Sequence, residues 1–468
     1  MSRESPLAPR HLPVVGHMAN ILGGAPWDDM EGWLRDHGPT QRLAIAGAMV
    51  LISADPAVIR RVLLDNADNY RKDRRTMEPF LGLLGDGLLT SDGALWKQQR
   101  AALAPAFRGD ALRNLVDVTR RAVERSGDSL DAHAHSGDVV DVAALFRRLT
   151  LRVIAEATLS MAAEECDDVL PRLYEPLVAE ANRRVWLPDR AHLPIPARFA
   201  YDRSLRALDL LLDARIEARR RQRQDRPEAP ALDMLDMLLV AAADSPWTDA
   251  RAVLVRDELK TMLFAGHETT SAMLTWTLHA LMRHPDCLAR LRDAADGVFA
   301  GGATPGFEAL RRLEYAGACL KEALRVYNVV PIVHRKVLAD DSLGGYHVPA
   351  DCLVMLHLQA LHRDPRHWPE PAAFRPERFL GEAPGQAWRW LPFLNGPRSC
   401  VGQHFALLEA KIVLSMLTRR FDFTPEPGNS DTRHRFNVPV GPAGTIGARV
   451  RRRAGAGAPA QASRDSGG

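Results

Sequence analysis

Cysteine and long apolar segments are both scarce in this sequence. Its 468 residues include five cysteines, an odd number scattered from Cys166 to Cys400. Such scatter argues against the disulfide framework of a secreted protein and favours a reducing compartment. No uninterrupted apolar run is long enough to span a bilayer, and prolines interrupt the N-terminus before a signal-peptide core can form. We therefore expect a soluble, cytoplasmic protein without a membrane span.

A surplus of charge of one sign is also lacking. Lysine and arginine number 61 against 58 aspartate and glutamate, which gives a formal net charge of +3. This near-balance excludes the global positive field that is typical of a nucleic-acid-binding protein. Hydrophobic residues make up 46% of the chain, which is enough to build a substantial core.

Repeats and internal Gly/Ser linkers are absent as well, so the sequence predicts a single domain over residues 1–450. The remaining residues, 451–468, combine arginine, alanine and glycine with few apolar side chains. Because such a segment buries too little apolar surface to pack, we expect a disordered C-terminal tail.

Helical spacing of apolar residues dominates the domain. Clear examples are residues 111–124, 142–160, 205–221, 257–282 and 409–420. Strand-like stretches are shorter, at 41–52, 333–338 and 352–358. Recurrent prolines between residues 364 and 399 exclude long helices and predict an irregular segment with a functional role. The expected fold class is mainly α with small β-sheets.

A motif at residues 393–402 combines glycines, an arginine and a cysteine just before a helix-compatible segment. Cys400 lies where backbone N–H groups and a helix N-terminus are expected to lower the pKa of its thiol, as a metal-ligating thiolate requires. Gly396 and Gly402 permit a close backbone approach. Taken alone, these residues also fit a Gly-Pro turn with a buried free cysteine that packs as a small apolar side chain.

The complete pattern resembles the haem-binding signature of the cytochrome P-450 superfamily, and the resemblance covers nearly the whole chain. The matching residues are Phe393, Gly396, Arg398, Cys400 and Gly402, with Ala406 where the family often has alanine. Leu394 departs from the pattern, since the family often has glycine there. The resemblance implies a fold with haem b (iron protoporphyrin IX) between a long central helix and the helix after the cysteine loop. Cys400 would be the axial iron ligand, with Phe393 and Gly402 beside the cofactor and Arg398 on a haem propionate.

The long helix predicted at 257–282 has an unusual middle, residues 265–271. Gly266 costs about 1 kcal/mol relative to alanine, and hydroxyl side chains beside it compete for backbone hydrogen bonds, so we expect a local distortion. A tolerated glycine on a surface face of the helix is the simpler interpretation. A zinc-protease motif at His267 is excluded, because Ser271 stands where a second histidine is required.

The same segment resembles the oxygen-activating part of the family's central helix. In that resemblance Ala265 and Gly266 are the small-residue pair, and Gly266 leaves room for dioxygen. Thr269 would hydrogen-bond the activated oxygen, and Glu268 would organise water-mediated proton delivery.

Further segments match the family in the expected order. Glu322 and Arg325, three apart on a helix, form with Arg378 what resembles its Glu-Arg-Arg structural network, although such pairs are usually ordinary surface features. Trp96 and Arg100, four apart, resemble its propionate-binding segment. Arg335 is expected to bind a propionate as well, with His334 as the competing choice.

The resemblance implies a cytochrome P-450 monooxygenase of soluble bacterial type that oxidises a hydrophobic small molecule, such as a terpenoid, fatty acid, steroid or polyketide, in secondary metabolism. The alternatives are a peroxide-using or isomerising haem-thiolate enzyme and a non-enzymatic haem or gas-binding protein. Electrons would come from NAD(P)H through a separate ferredoxin or flavodoxin with its reductase, docking on a monomer near Lys97, Arg108 and Arg113.

The expected substrate pocket comprises Met77, Phe80, Leu84, Leu88, Thr261, Val329, Val330 and Ile332, although each also fits plain core packing.

Overall fold

The computed structural model describes residues 5–9, 16–17, 26–45, 48–186, 194–243, 246–300, 305–381, 386–428 and 439–453. The α-helices in these ranges are α1 (Pro26–His37), α2 (Pro56–Arg60), α3 (Arg74–Leu84), α4 (Gly93–Leu103), α5 (Asp110–Ser136), α6 (Val142–Leu159), α7 (Ala163–Trp186), α8 (Pro196–Asp225), α9 (Met234–Ala241), α10 (Asp249–Arg283), α11 (Pro285–Phe299), α12 (Phe307–Arg311), α13 (Glu314–Val326), α14 (Leu358–His362) and α15 (Gln403–Arg420). A π-helical turn at Arg61–Asp65 and short 3-10 helices at Ala67–Asn69, Ala104–Phe107, Pro376–Phe379 and Gln386–Trp388 lie between them. The strands are β1 (Thr40–Ile45), β2 (Ala48–Ser53), β3 (Tyr70–Arg71), β4 (Val139–Asp141), β5 (Ile332–Val337), β6 (Asp341–Leu343), β7 (Tyr346–Val348), β8 (Leu353–His357), β9 (Phe421–Pro425) and β10 (Gly447–Arg452). The predicted class, mainly α with small sheets, is confirmed.

Helix α10 runs through the centre of the helical core. It starts where the Thr248 hydroxyl accepts a hydrogen bond from the Arg251 N–H and ends just before Pro285. Side chains are buried all around its middle, as expected for a helix enclosed by others. The predicted distortion is not observed: the α-helix is continuous through residue 266, and the Thr269 hydroxyl donates to the Ala265 carbonyl at 2.7 Å within the helix.

The larger sheet has the strand order β1-β2-β8-β5-β3. The stretch 41–52, predicted as one strand, is two antiparallel strands, β1 and β2. Strands β2 and β8 pair in parallel, with Val50 opposite Leu353, so this sheet joins an early part of the chain to a late one. A second hydrophobic core packs around the sheet, separate from the larger helical core.

The C-terminal end of the domain was predicted two residues short. Arg451 and Arg452, assigned to the tail, lie in β10, where they pair with β9. The Arg453 guanidinium contacts Asp296 at 3.2 Å, which anchors the end of the strand. Residues 454–468 of the predicted tail lie outside the described residues. Among the helices described, none is both long and apolar enough to cross a membrane.

The predicted irregular segment at 364–399 is held by the predicted ionic network. Arg325 donates two hydrogen bonds of 2.8 Å to Glu322, and both side chains are fully buried. Glu322 also accepts from Arg378 Nε at 3.3 Å. The other Arg325 N–H groups donate to the carbonyls of Pro371 and Ala373. This network therefore fixes the path that leads to the cysteine loop.

Candidate active site

The loop at residues 393–402 folds back on itself just before α15. The Cys400 N–H donates to the Phe393 carbonyl at 2.8 Å, which closes the loop. Gly396 has a φ of +78°, and a Cβ there would overlap the carbonyl of Leu63, so glycine is required for both reasons. Leu394, where the family often has glycine, also has a positive φ of 58°.

The Cys400 thiol is exposed to an interior cavity, while protein surrounds it closely. Desolvation raises its pKa above the usual value, outweighing the opposing effects of the Gly402 N–H and the Arg100 charge. The predicted lowering of the Cys400 pKa is therefore not found. A metal ion would displace the proton on ligation.

The cavity has a volume of about 270 Å³ and lies between α10, the cysteine loop and the segment before α4. It brings together most of the predicted site, namely Leu88, Trp96, Arg100, Thr261, Ala265, Gly266, Thr269, Val329, Val330, Phe393, Arg398, Cys400 and Gly402. It also contains residues that were not predicted, including Leu89, Met262, Thr270, Met273 and Val333. The α10 members recur every three to four residues, so helical periodicity alone could have supplied Met262, Thr270 and Met273.

Four predicted pocket residues are placed elsewhere. Met77, Phe80 and Leu84 belong to α3 and pack in the helical core, where the Phe80 ring lies 5.7 Å from that of Phe264. Ile332 packs in the sheet core. Side chains alternate along a strand, so when Val333 faces the cavity, Ile332 must face away from it.

Glu268 and Thr269 face different spaces. Thr269 lines the apolar cavity, whereas Glu268 lines a polar cleft of about 240 Å³ together with Asp141, Arg147 and Ser271. The Glu268 carboxylate lies 3.4 Å from the ring of buried His267. Gly266 is explained by packing, because a Cβ would lie 2.7 Å from Ile154 of α6. The small residue therefore permits two helices to approach.

A cluster of cations lies at one edge of the cavity. Arg398 pairs with Asp92, and its guanidinium lies 3.6 Å from the centroid of the Trp96 ring. Arg100 donates to the Ser399 carbonyl at 2.7 Å. Arg335 is buried, and burial together with the Arg398 charge lowers its pKa to about 10.

Lys72 completes this cluster and was missed by sequence reasoning. Burial, with the charges of Arg398 and Arg335, lowers its pKa to about 7. Within the charged run at 71–75 nothing distinguishes it from surface lysines. Strand alternation also favours Arg335 over His334, because Arg335 shares its face of β5 with cavity-lining Val333.

The residues present fit a haem group. Four cations, Lys72, Arg100, Arg335 and Arg398, lie close together, with Asp92 beside Arg398 and Glu258 near Lys72. This leaves a positive excess that two propionates would neutralise. Apolar side chains form a slot between this edge and the Cys400 sulfur, the donor type that holds haem iron in haem-thiolate proteins. Fold and site together define a haem-thiolate enzyme.

Comparison with known proteins supports the assignment to the haem-thiolate enzymes. The sequence model of the family described as Cytochrome P450 matches residues 6–442. "Cytochrome P450 734A6" of Oryza sativa subsp. japonica is 33% identical over 446 residues, covering 90% of this chain and 78% of that protein. The carotene epsilon-monooxygenase of Arabidopsis thaliana, a chloroplastic protein, is 29% identical over 428 residues, covering 86% and 78%. A crystal structure of the cytochrome P450DA heme domain superposes with a TM-score of 0.82 at 26% identity, covering 97% and 98%.

The chain belongs to the cytochrome P450 family. It is accordingly a haem-dependent oxidoreductase of the monooxygenase type. Cytoplasmic location and a role in secondary metabolism stay predictions, since the names of several relatives describe chloroplastic proteins.

Proposed function

We propose that the protein inserts one oxygen atom from O2 into a hydrophobic small molecule, within a single catalytic domain. The observation that carries this proposal is one cavity lined both by the Cys400 thiol and by Thr269 of the central helix, with mainly apolar walls between them. When bound, the haem supplies dioxygen activation, which protein side chains cannot perform alone.

The protein side chains are proposed to hold the haem, to supply protons and to orient the substrate. Cys400 would hold the iron, while Arg100, Arg335, Arg398 and Lys72 would bind the propionates. Thr269 presents a hydroxyl to the cavity and, as both donor and acceptor, would pass protons into the cavity from the central helix. The apolar walls exclude bulk water and orient the substrate.

Glu268 is proposed to bring in protons from the polar cleft. Its carboxylate lies among polar groups, including Arg147 and Ser271, on a face of α10 different from that of Thr269. Water in the cleft can therefore reach Glu268 without crossing the substrate cavity. This arrangement supports proton supply through successive residues of one helix.

The proposed substrate is a terpenoid, fatty acid, steroid or polyketide, because the walls contributed by Leu88, Leu89, Met262, Val329 and Val330 offer few polar partners. The carotene epsilon-monooxygenase is named for a terpenoid hydrocarbon, which favours the first of these classes.

Electrons are proposed to come from NAD(P)H through a separate ferredoxin or flavodoxin with its reductase. Lys97, Arg108 and Arg113 are exposed at or beside α4 and α5. The ring of Phe107, next to Arg108, lies 6.0 Å from that of Phe405 on the helix that follows Cys400. The basic residues therefore offer an acidic carrier a docking surface on the cysteine side.

The test is the ferrous-carbonyl minus ferrous difference spectrum of the wild type and of Cys400→Ser. We expect the red-shifted Soret band of a thiolate-ligated haem in the wild type and its loss in the variant, because a serine hydroxyl is a poor substitute for a thiolate. Cys352→Ser, which changes a cysteine outside this cavity, is the control and should keep the band. A wild type that binds no haem, or binds it without the shift, would contradict the proposal.

A further inference from the structure

A short segment between α3 and α4, Gly85–Ser91, carries two of the cavity-lining residues, Leu88 and Leu89. We call this segment the strap. It lies directly against α10: a Cβ on Gly87 would overlap the Thr261 hydroxyl, and one on Gly85 would overlap the Asp257 carboxylate. The strap therefore has no room to move closer to the helix.

Two neighbouring acids of α10 hold the N–H groups of the strap. The Asp86 N–H donates to Asp257 at 3.0 Å, and the Leu88 N–H donates to Glu258 at 3.1 Å. Asp257 is itself paired with Lys260 at 3.1 Å. Glu258 differs, because its second oxygen is buried without a hydrogen-bond partner in the described part of the chain.

The carbonyl groups of the strap are held from the other side by Lys72. Its ammonium donates to the carbonyls of Leu89 at 2.6 Å, Leu88 at 3.2 Å and Ser91 at 3.2 Å. The Gln99 amide donates to the Asp86 carbonyl at 2.6 Å. Buried acids on one side and the half-buried Lys72 on the other thus fix the backbone of the strap, which has little regular structure of its own.

We propose that Glu258, with Lys72 opposite, is a positioning residue that holds Leu88 and Leu89 as a fixed wall of the substrate cavity. Glu258 binds the backbone of Leu88 itself, so loss of this bond releases the wall and not a distant part of the loop. A fixed wall sets the size of apolar ligand that fits beside the haem. This inference rests on the proposed function, since it assigns the wall to the substrate.

The electrostatics of the cluster make the wall sensitive to pH. Burial raises the pKa of Glu258 to about 7; the Asp257 charge adds to the rise, and the Leu88 N–H and Lys72 oppose it. Protonation below pH 7 removes the charge that strengthens the bond from the Leu88 N–H. Lys72 faces Arg398, Arg335, Asp92 and Glu258, and bound propionates would keep it protonated. Within this cluster, Glu258 is therefore the first group to change its charge as the pH falls from 8.

The experiment compares two azoles that ligate haem iron, 1-phenylimidazole and imidazole, on the holoenzyme. Soret titrations give both dissociation constants, each referred to the neutral azole. Glu258→Ala should weaken 1-phenylimidazole binding about tenfold, the equivalent of one hydrogen bond, and change imidazole binding less than about twofold. Amide hydrogen exchange at Asp86 and Leu88 should become faster. Glu78→Gln, which removes an exposed carboxylate from α3, is the matched control and should change neither.

Glu258→Gln keeps an acceptor for the Leu88 N–H but cannot titrate. The wild type should lose affinity for 1-phenylimidazole as the pH falls from 8 through 7 to 6, whereas Glu258→Gln should show a flat profile. A flat wild-type profile, or unchanged exchange in Glu258→Ala, would overturn the inference while leaving the carbonyl spectrum intact. A protein without haem would instead refute the proposed function, and amide exchange, which needs no haem, would still decide the role of Glu258.

Discussion

Gly396 shows how strongly a single position constrains the cysteine loop. It combines a positive φ with backbone contact to Leu63. We expect Gly396→Ala to lower the free energy of unfolding by about 2–4 kcal/mol, since strain and overlap add, and to reduce haem content. Gly345→Ala is the control, because Gly345 has a φ of +81° but open space around it and should cost only about 1 kcal/mol. Thermal unfolding and the ratio of Soret to protein absorbance check both; equal losses would show that Leu63 does not constrain the loop.

The proposed role of Thr269 depends on its hydroxyl group, which substitution by alanine removes. In Thr269→Ala we expect electron consumption to continue while product formed per electron falls about tenfold or more and peroxide accumulates, because the proposed proton delivery would lose its donor. Thr277→Ala is the control, since the Thr277 hydroxyl makes the same helical bond, to the Met273 carbonyl at 2.7 Å, in the buried part of α10 beyond the cavity-lining residues. Product, peroxide and reductant are measured together with any accepted substrate. Unchanged coupling in Thr269→Ala would remove this residue from the mechanism.

At the residue scale, motif spacing predicted the residues whose chemical type the site requires. It missed residues that reach the site only through tertiary packing. Cys400, Arg398 and Thr269 share one cavity because fixed spacings place them on a loop and a helix face. Lys72 was missed because its burial depends on contacts with residues 88–91, which no local pattern reports. The prediction of Ile332 as a pocket residue is wrong because alternation along the strand places Ile332 and Val333 on opposite faces, and Val333 faces the cavity.

The pairing of Glu322 with Arg325 belongs to the scale of the element, since it joins α13 to the irregular segment. Glu322→Ala should lower the free energy of unfolding by about 3–5 kcal/mol, because it leaves the Arg325 guanidinium buried without its counter-charge. Glu308→Ala removes a Glu–Arg pair of the same spacing from α12, but these side chains are 76% and 66% exposed. That variant should cost less than about 0.5 kcal/mol. Denaturant unfolding of both variants measures the difference, and similar costs would show that burial does not govern the network.

Elements were predicted well where helical periodicity is long, and poorly where a turn signal is weak or the pairing strand is remote. Helix α10 exceeds its predicted span at the N-terminus because the Thr248 cap, not the apolar pattern, determines its start. The stretch 41–52 lacks a strong turn signal, so its division into β1 and β2 was missed. Arg451 and Arg452 have the composition of a tail, yet backbone pairing with β9 holds them in a strand.

The whole molecule should respond to acid through its buried histidines. Burial lowers the pKa of His357 to about 4 and that of His362 to about 3. Because the unfolded chain then binds protons more tightly than the folded one, their contribution to stability is present above about pH 6.5 and is lost as the pH falls toward 4 and 3. We expect Tm to fall steadily between pH 6.5 and 4. Replacing His362 by Gln should flatten this slope, whereas replacing exposed His135 by Gln should leave it unchanged; equal slopes would contradict the assignment.

The parallel pairing of β2 with β8 also determines the order of events during synthesis. Residues 50–53 are synthesised well before residues 353–356, the strand with which they pair. During that interval one edge of the β1–β2 hairpin is open, a state that favours association with other chains and makes chaperone protection useful. Cys400 emerges later still, after β8. The sheet can therefore form before the chain carries Cys400, the residue proposed to hold the iron.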